Sequence, residues 1–132
     1  AGLYRQDQEA VAIGNWAGTN TQSFGGVAVG RYAGERSQGS RSVAIGSRAG
    51  NYNQGNYAVA IGGAAGFTNQ HDNTIVINAQ GSDAGGGSTA TNTTQSNSFY
   101  VKPIRRVTSG SLPSGFYNMA YNPTTGEIIY WS

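Results

Sequence analysis

The apolar residues of this chain fall in short alternating phrases separated by stretches of Gly and small polar residues. Val11-Ala12-Ile13-Gly14, Val27-Ala28-Val29-Gly30, Val43-Ala44-Ile45-Gly46 and Val59-Ala60-Ile61-Gly62 begin 16 residues apart, and Ile75-Val76-Ile77-Asn78 keeps the register. Ala17-Gly18, Ala33-Gly34, Ala49-Gly50 and Ala65-Gly66 follow at a fixed offset, as do Gln6, Gln22, Gln38, Gln54 and Gln70. β-branched residues alternating with Ala and closing on Gly predict a short strand ending in a turn, and such a unit is too short for a helix pair. Repetition at one fixed period predicts that the units stack. The expected fold is all-β, a parallel β-roll or β-helix solenoid of about five 16-residue coils over residues 1–82.

Each repeated position then acquires an expected role. Successive strand residues point to opposite faces. Val11, Ile13, Val27, Val29, Val43, Ile45, Val59, Ile61, Ile75 and Ile77 are expected to form the core, with Ala12, Ala28, Ala44 and Ala60 on the other face, where chains could approach closely. Gly14, Gly30, Gly46 and Gly62 are expected in a turn of positive φ, and Asn78 in the same turn because Asn tolerates the left-handed region. Residues 16 apart sit above one another, so the five Gln amides are expected to bond in a ladder up one corner. Two β-branched residues and two alanines per coil make a thin core, and burial against further copies of the chain would supplement it.

Past the repeats the pattern changes. The solenoid is expected to stop near Gln80-Gly81, with residues 83–98, rich in Gly, Ser, Thr and Asn, as a linker. Aromatic residues return in 99–132, a C-terminal β element in which the stretches around Asn122-Pro123-Thr124-Thr125-Gly126 predict a β-hairpin at 116–131. Ala1-Gly2 matches the end of a preceding unit, so more shaft is expected upstream.

Composition narrows the function classes. Charged residues are only 11% of the 132 and the net charge is +2, from eight cations spread along the chain, which gives little support to nucleic-acid binding. Cysteine is absent, which removes disulfides and thiolate metal sites. No apolar run approaches membrane-spanning length, and no charged-then-apolar leader opens the chain. His71, the only histidine, sits beside Asp72, but no Ser lies in a nucleophile-elbow phrase, and the acids include no pair at matched offsets of neighbouring coils. Gly25-Gly26 and Gly85-Gly86-Gly87 lack the Lys-Ser/Thr ending of a phosphate loop, and the repeated Gly turns lack the Asp of a calcium-binding roll. A chain that is not an enzyme, with no metal and no cofactor, is the expectation. Lys102, Arg105 and Arg106 read as a solvated strand face, with a basic patch for anionic glycan as the alternative, and Asn92-Thr93-Thr94 as a chance glycosylation sequon.

The copies differ most at two positions, both expected in turns. One reads Trp16, Tyr32, Arg48 and Ala64; the other reads Tyr4, Asn20, Arg36, Tyr52 and Thr68. Aromatic rings stack on sugar faces while Arg and amides bond hydroxyls, so Trp16, Tyr32, Arg48, Tyr4, Arg36 and Tyr52 are candidate glycan or receptor contacts. The competing reading is that they pack between chains.

The Val-Ala-Ile-Gly phrase followed by Ala-Gly resembles the head repeats of trimeric autotransporter adhesins, whose common unit is somewhat shorter than 16. Residues 98–132, with Ser98-Phe99-Tyr100-Val101-Lys102-Pro103-Ile104-Arg105 and Tyr121-Asn122-Pro123-Thr124-Thr125-Gly126-Glu127-Ile128-Ile129-Tyr130, look like the segment that precedes an auto-cleaving intramolecular chaperone in phage and large-virus fibre proteins. In those fibres the repeats come first, in the same order. The resemblance implies a homotrimeric fibre segment on the virion surface, with cell-surface carbohydrate as a candidate partner and no nucleic acid or membrane insertion. It also implies cleavage beside a Ser, which makes Ser132 the candidate processing site. The head of a bacterial surface adhesin, and the non-catalytic trunk of a polysaccharide-degrading tailspike, are the alternatives.

Overall fold

The computed structural model describes residues 1–80, 90–103, 118–121 and 128–131. Its strands, in chain order, are β1 (Val11–Ile13), β2 (Val27–Val29), β3 (Arg36–Gln38), β4 (Val43–Ile45), β5 (Tyr52–Gln54), β6 (Val59–Ile61), β7 (Thr68–Gln70), β8 (Ile75–Asn78), β9 (Phe99–Lys102), β10 (Asn118–Tyr121) and β11 (Ile128–Trp131). The repeat phrases build one parallel sheet in the order β1-β2-β4-β6-β8-β9, and the Gln segments build a second, β3-β5-β7. Val11 pairs with Val27, Val27 with Val43, Val43 with Val59 and Val59 with Ile75, each step one repeat. The turns stack as well: the Gly34 N–H donates to Ala49 O, and Gly50 N–H to Ala65 O, both at 2.9 Å. The chain is thus an all-β solenoid whose 16-residue coil alternates between two sheets.

The inside of the roll is the reverse of the expected one. Ala28, Ala44, Ala60 and Val76 of the first sheet are fully buried, together with Ala17, Ala33, Ala49 and Ala65 of the turns. The Val and Ile positions point out: Val11, Ile13, Ile45, Ile61, Ile75 and Ile77 are 38–59% exposed, and Val27, Val29, Val43 and Val59 are half-buried. Gln is the reason. Gln22, Gln38, Gln54 and Gln70 of the second sheet are at most 3% exposed and reach across the interior, where Nε2 donates to the carbonyls of Val11, Val27, Val43 and Val59 at 2.6–3.0 Å. With a Gln spanning the gap, little room is left opposite it: alanine fills the position in coil after coil and the largest side chain there beside a Gln is Val76, so the paired Val and Ile residues go to the outer face.

The amide ladder is therefore chiefly a ladder of amides to backbone. Gln54 Nε2 to Gln70 Oε1, at 3.2 Å, is the amide-to-amide rung among the described residues, and Gln6, in the first coil, is exposed. Backbone bridges from Gln6 to Gln22 and from Gln22 to Gln38 keep the column continuous.

Gly14, Gly30, Gly46 and Gly62 do take positive φ, at 104–128°. A Cβ on Gly46 would stand 2.8 Å from the carbonyl carbon of Gly62 in the next coil. Asn78 departs from its expected role, because it is the last residue of β8 and not a positive-φ turn. Buried at 1% exposure, it donates from Nδ2 to Gly63 O at 2.8 Å, and its Oδ1 accepts from the Gln80 N–H at 3.0 Å.

The first sheet also continues past the expected boundary near Gln80-Gly81. Phe99–Lys102 pairs in parallel with β8, Ile75 opposite Phe99 and Ile77 opposite Val101, a step of 24 residues instead of 16. Residues 91–93, expected in the linker, lie along the last coil: Gly66 N–H donates to Thr91 O at 2.7 Å, and Thr68 N–H to Asn92 Oδ1 at 2.9 Å. The column Ala12, Ala28, Ala44, Ala60, Val76 ends on Tyr100, whose ring packs against the buried alanines. In the C-terminal element β10 and β11 pair antiparallel, Asn118 opposite Trp131 and Tyr121 opposite Ile128. The intervening turn, the 83–89 part of the linker, Arg105, Arg106 and Ser132 lie outside the described residues.

Candidate binding surface

The two variable positions become columns on the roll's surface. Trp16, Tyr32, Arg48 and Ala64 occupy the turn after the first-sheet strand, all in the left-handed region at φ 53–59°. That conformation costs a non-glycine residue roughly 1 kcal/mol, which argues that backbone stacking holds it. The Tyr32 N–H indeed donates to Asn15 O, and Arg48 N–H to Arg31 O, at 2.8–2.9 Å. The Trp16 and Tyr32 rings lie near-parallel, 11° apart with centroids at 6.5 Å. The Arg31 and Arg48 guanidinium carbons sit 5.2 and 5.6 Å from the Tyr32 centroid. Arg48 Nη1 is covered from solvent yet has no hydrogen-bond partner among the described residues.

The second column is less continuous. Arg36 lies 5.2 Å over the Tyr52 ring, and Tyr52 meets Phe67 edge to face at 5.5 Å. Glu35 anchors this corner, its Oε2 accepting from Asn51 Nδ2 at 3.0 Å and its Oε1 3.6 Å from Arg36 Nε. Tyr4, 72% exposed on the first coil, has no ring or cation contact among the described residues. The six candidate contacts are therefore two separate columns, and Tyr4 joins neither pairwise network.

A third column escaped the sequence reading. Arg41 lies 5.1 Å from the Phe24 centroid and 5.8 Å from that of Tyr57, and its Nη1 donates to Tyr57 Oη at 3.1 Å. It lies in the turn before the first-sheet strand. The signal was there, since Arg41 and Tyr57 are one repeat apart, but Phe24 is offset by one position and breaks the column in sequence.

The remaining candidates serve the backbone. His71 Nδ1 is 2.7 Å from Thr93 Oγ1, which also accepts the His71 N–H at 2.8 Å, and Asp72 Oδ1 accepts the Asn56 N–H at 2.7 Å. The sequon residues Asn92 and Thr93 both bond the last coil in this way. Among the described residues no three His, Asp or Glu side chains gather as metal ligands, and no helix is long and apolar enough to cross a membrane.

These features define a two-sheet β-solenoid carrying ladders of aromatic and Arg side chains on its turns and on the start of its second-sheet strands, where Arg36 and Tyr52, expected in a turn, open β3 and β5. The chain matches no protein-family model, no curated protein and no solved structure.

Proposed function

We propose that this chain is a structural and attachment segment of a homotrimeric viral or phage fibre, exposed on the virion and contacting host surface glycans. The observation that carries the reading is the outward Val/Ile face of the first sheet, repeated without interruption from Val11 to Ile77. An apolar stripe one coil after another is a surface for association, not for water. Covering side chains already half-exposed gains about 1 kcal/mol each, enough over ten such residues to hold chains together. The stripe runs along the stacking direction, so copies set around a common axis parallel to it bury it along its length. Three-fold closure satisfies every copy equally. The fibre resemblance of the repeats and of residues 98–132 supplies the setting. Three sets of surface ladders on one shaft add avidity.

Sedimentation of the purified chain tests the assembly. A mass about three times 13.7 kDa is expected; a monomer at micromolar concentration overturns the reading. Competition of host attachment by the isolated chain tests the contact role.

A further inference from the structure

We infer that Asn92 and Thr93 close the end of the second sheet, so that its edge strand does not pair with a strand of a second copy of the chain. The closure concerns the end of the roll, whereas the association proposed above uses its apolar side, and neither depends on the other.

At each inner level two N–H groups of the second-sheet segment point to the next coil and meet backbone carbonyls there. Those of Asn20, Arg36 and Tyr52 donate to the carbonyls of Glu35, Asn51 and Phe67 at 2.9–3.0 Å. Those of Ser23, Gly39 and Gly55 donate to Gln38, Gln54 and Gln70 at 2.7–3.1 Å. One level further on, the same positions are Thr68, which opens β7, and His71, which follows it. β7 is the edge of the sheet, with no further strand beyond it among the described residues. An edge whose N–H groups are free is a template for a strand of another chain. Both groups are taken here by side chains: Asn92 Oδ1 accepts from Thr68 N–H at 2.9 Å, and Thr93 Oγ1 from His71 N–H at 2.8 Å.

Exchanging main-chain for side-chain acceptors ends the ladder. Carbonyls at these two places would belong to a further strand, whose own N–H and C=O groups would face onward in turn. Asn92 and Thr93 lie in no strand, and the next N–H, that of Thr94, turns aside to Tyr100 Oη at 3.1 Å. Since Tyr100 is part of β9, the segment is tied to the first sheet as well. Thr93 is held close, 7% exposed, with His71 Nδ1 also 2.7 Å from its hydroxyl oxygen. The stretch that reads as a sequon therefore has a physical use for its residue types, because amide and hydroxyl oxygens accept from backbone N–H groups. Stacked-repeat folds need an ending of this kind to stay soluble.

The test uses the full chain and hydrogen exchange read by NMR. In the wild type the Thr68 and His71 amides should exchange as slowly as those of Tyr52 and Gly55. Asn92→Ala should speed exchange at Thr68, and Thr93→Val at His71, each about tenfold or more. The double variant should sediment as species that grow past the wild-type mass as its concentration rises. Asn92→Asp and Thr93→Ser keep an acceptor in each place and should keep the wild-type mass and protection. Should the double variant not fold, the growth in mass is read from the two single variants. Fast exchange at Thr68 and His71 in the wild type overturns the closure, as does a folded variant that loses protection yet stays at the wild-type mass. The fibre reading fails separately, on a monomeric wild type.

Discussion

Gln38 Nε2 lies 2.8 Å from the carbonyl oxygen of Val27, eleven residues earlier, and so ties the second sheet of the roll to the first across its interior. The same tie recurs from Gln22 to Val11, Gln54 to Val43 and Gln70 to Val59. A polar side chain, not an aliphatic one, sets the thickness of this core.

Replacing Gln38 by Leu should therefore destabilise the chain although the position is 1% exposed. The expected loss is about 1–2 kcal/mol, from hydrogen bonds that Leu cannot make. Gln38→Glu should cost more at pH 7, since it buries a carboxylate against carbonyl oxygens. Burial raises the folded-state pKa of that carboxyl above its unfolded value, so the folded state takes up the proton first and stability should recover as the pH is lowered. Melting curves followed by circular dichroism at pH 7 and pH 4 check both.

Ala44 and Ile45 are sequence neighbours with opposite expected responses. Ala44 is fully buried, and Ala44→Leu should cost about 1–3 kcal/mol or more through overpacking. Ile45 is 40% exposed, and Ile45→Ser should leave the single chain folded while loosening its association. Melting and sedimentation, each over a range of protein concentrations, separate the two. Equal destabilisation at dilutions where the chain is monomeric would contradict the assignment of faces.

Glycines in the repeat are not equivalent. Gly46, at φ +122° with its virtual Cβ 2.8 Å from the Gly62 backbone, should not accept Ala without a loss of about 2–3 kcal/mol or more. Gly25, at φ +64° with Arg41 Cγ no nearer than 3.6 Å, should accept Ala for about 1 kcal/mol. Chemical denaturation of the two variants is the comparison.

Tyr100 should ionise below the ordinary tyrosine value of 10.0, because the Thr94 side chain and then the Thr94 backbone N–H bond its phenol oxygen. Thr94→Val, which keeps the N–H, should move the titration part of the way back, as read from the tyrosine ring carbons by NMR. An acid whose folded pKa is depressed stabilises the fold above its unfolded value and loses that contribution as the pH falls through the folded one. The effect is thus confined to alkaline solution and absent at neutral pH.

First-sheet strand positions, register and coil length were legible because residues 16 apart agree at many places at once; the second sheet was not, because Arg36, Tyr52 and Thr68 read as turn residues and the Gln column as a corner. Which face lies inside was not. Alternation separates two faces without ranking them, and the usual assumption that Val and Ile go in fails where a Gln from the opposite sheet already fills the space. Asn78 misled for a related reason: its place in the repeat suggested the turn of Gly62, but β8 runs one residue longer. The last strand was hidden because Phe99 follows Ile75 by 24 residues, which removes it from the period. Of the surface ladders, Trp16 with Tyr32 and Arg36 with Tyr52 could be read as columns. The Arg41 cluster needed the geometry of the turn, where residues one position out of register still meet.

The column that runs from Ala12 to Ala60 and then widens through Val76 to Tyr100 has a bearing on solenoid length. Every alanine level presents the same small plug to the level above, so another alanine coil can always be added below Val76. Each such insertion lengthens the solenoid by one strand spacing, about 4.8 Å, without disturbing what lies above. Tyr100 puts a large ring in place of the small plug at the last level of the column. Solenoid length can then change only by whole coils, one 16-residue cassette at a time, like marks on a ruler.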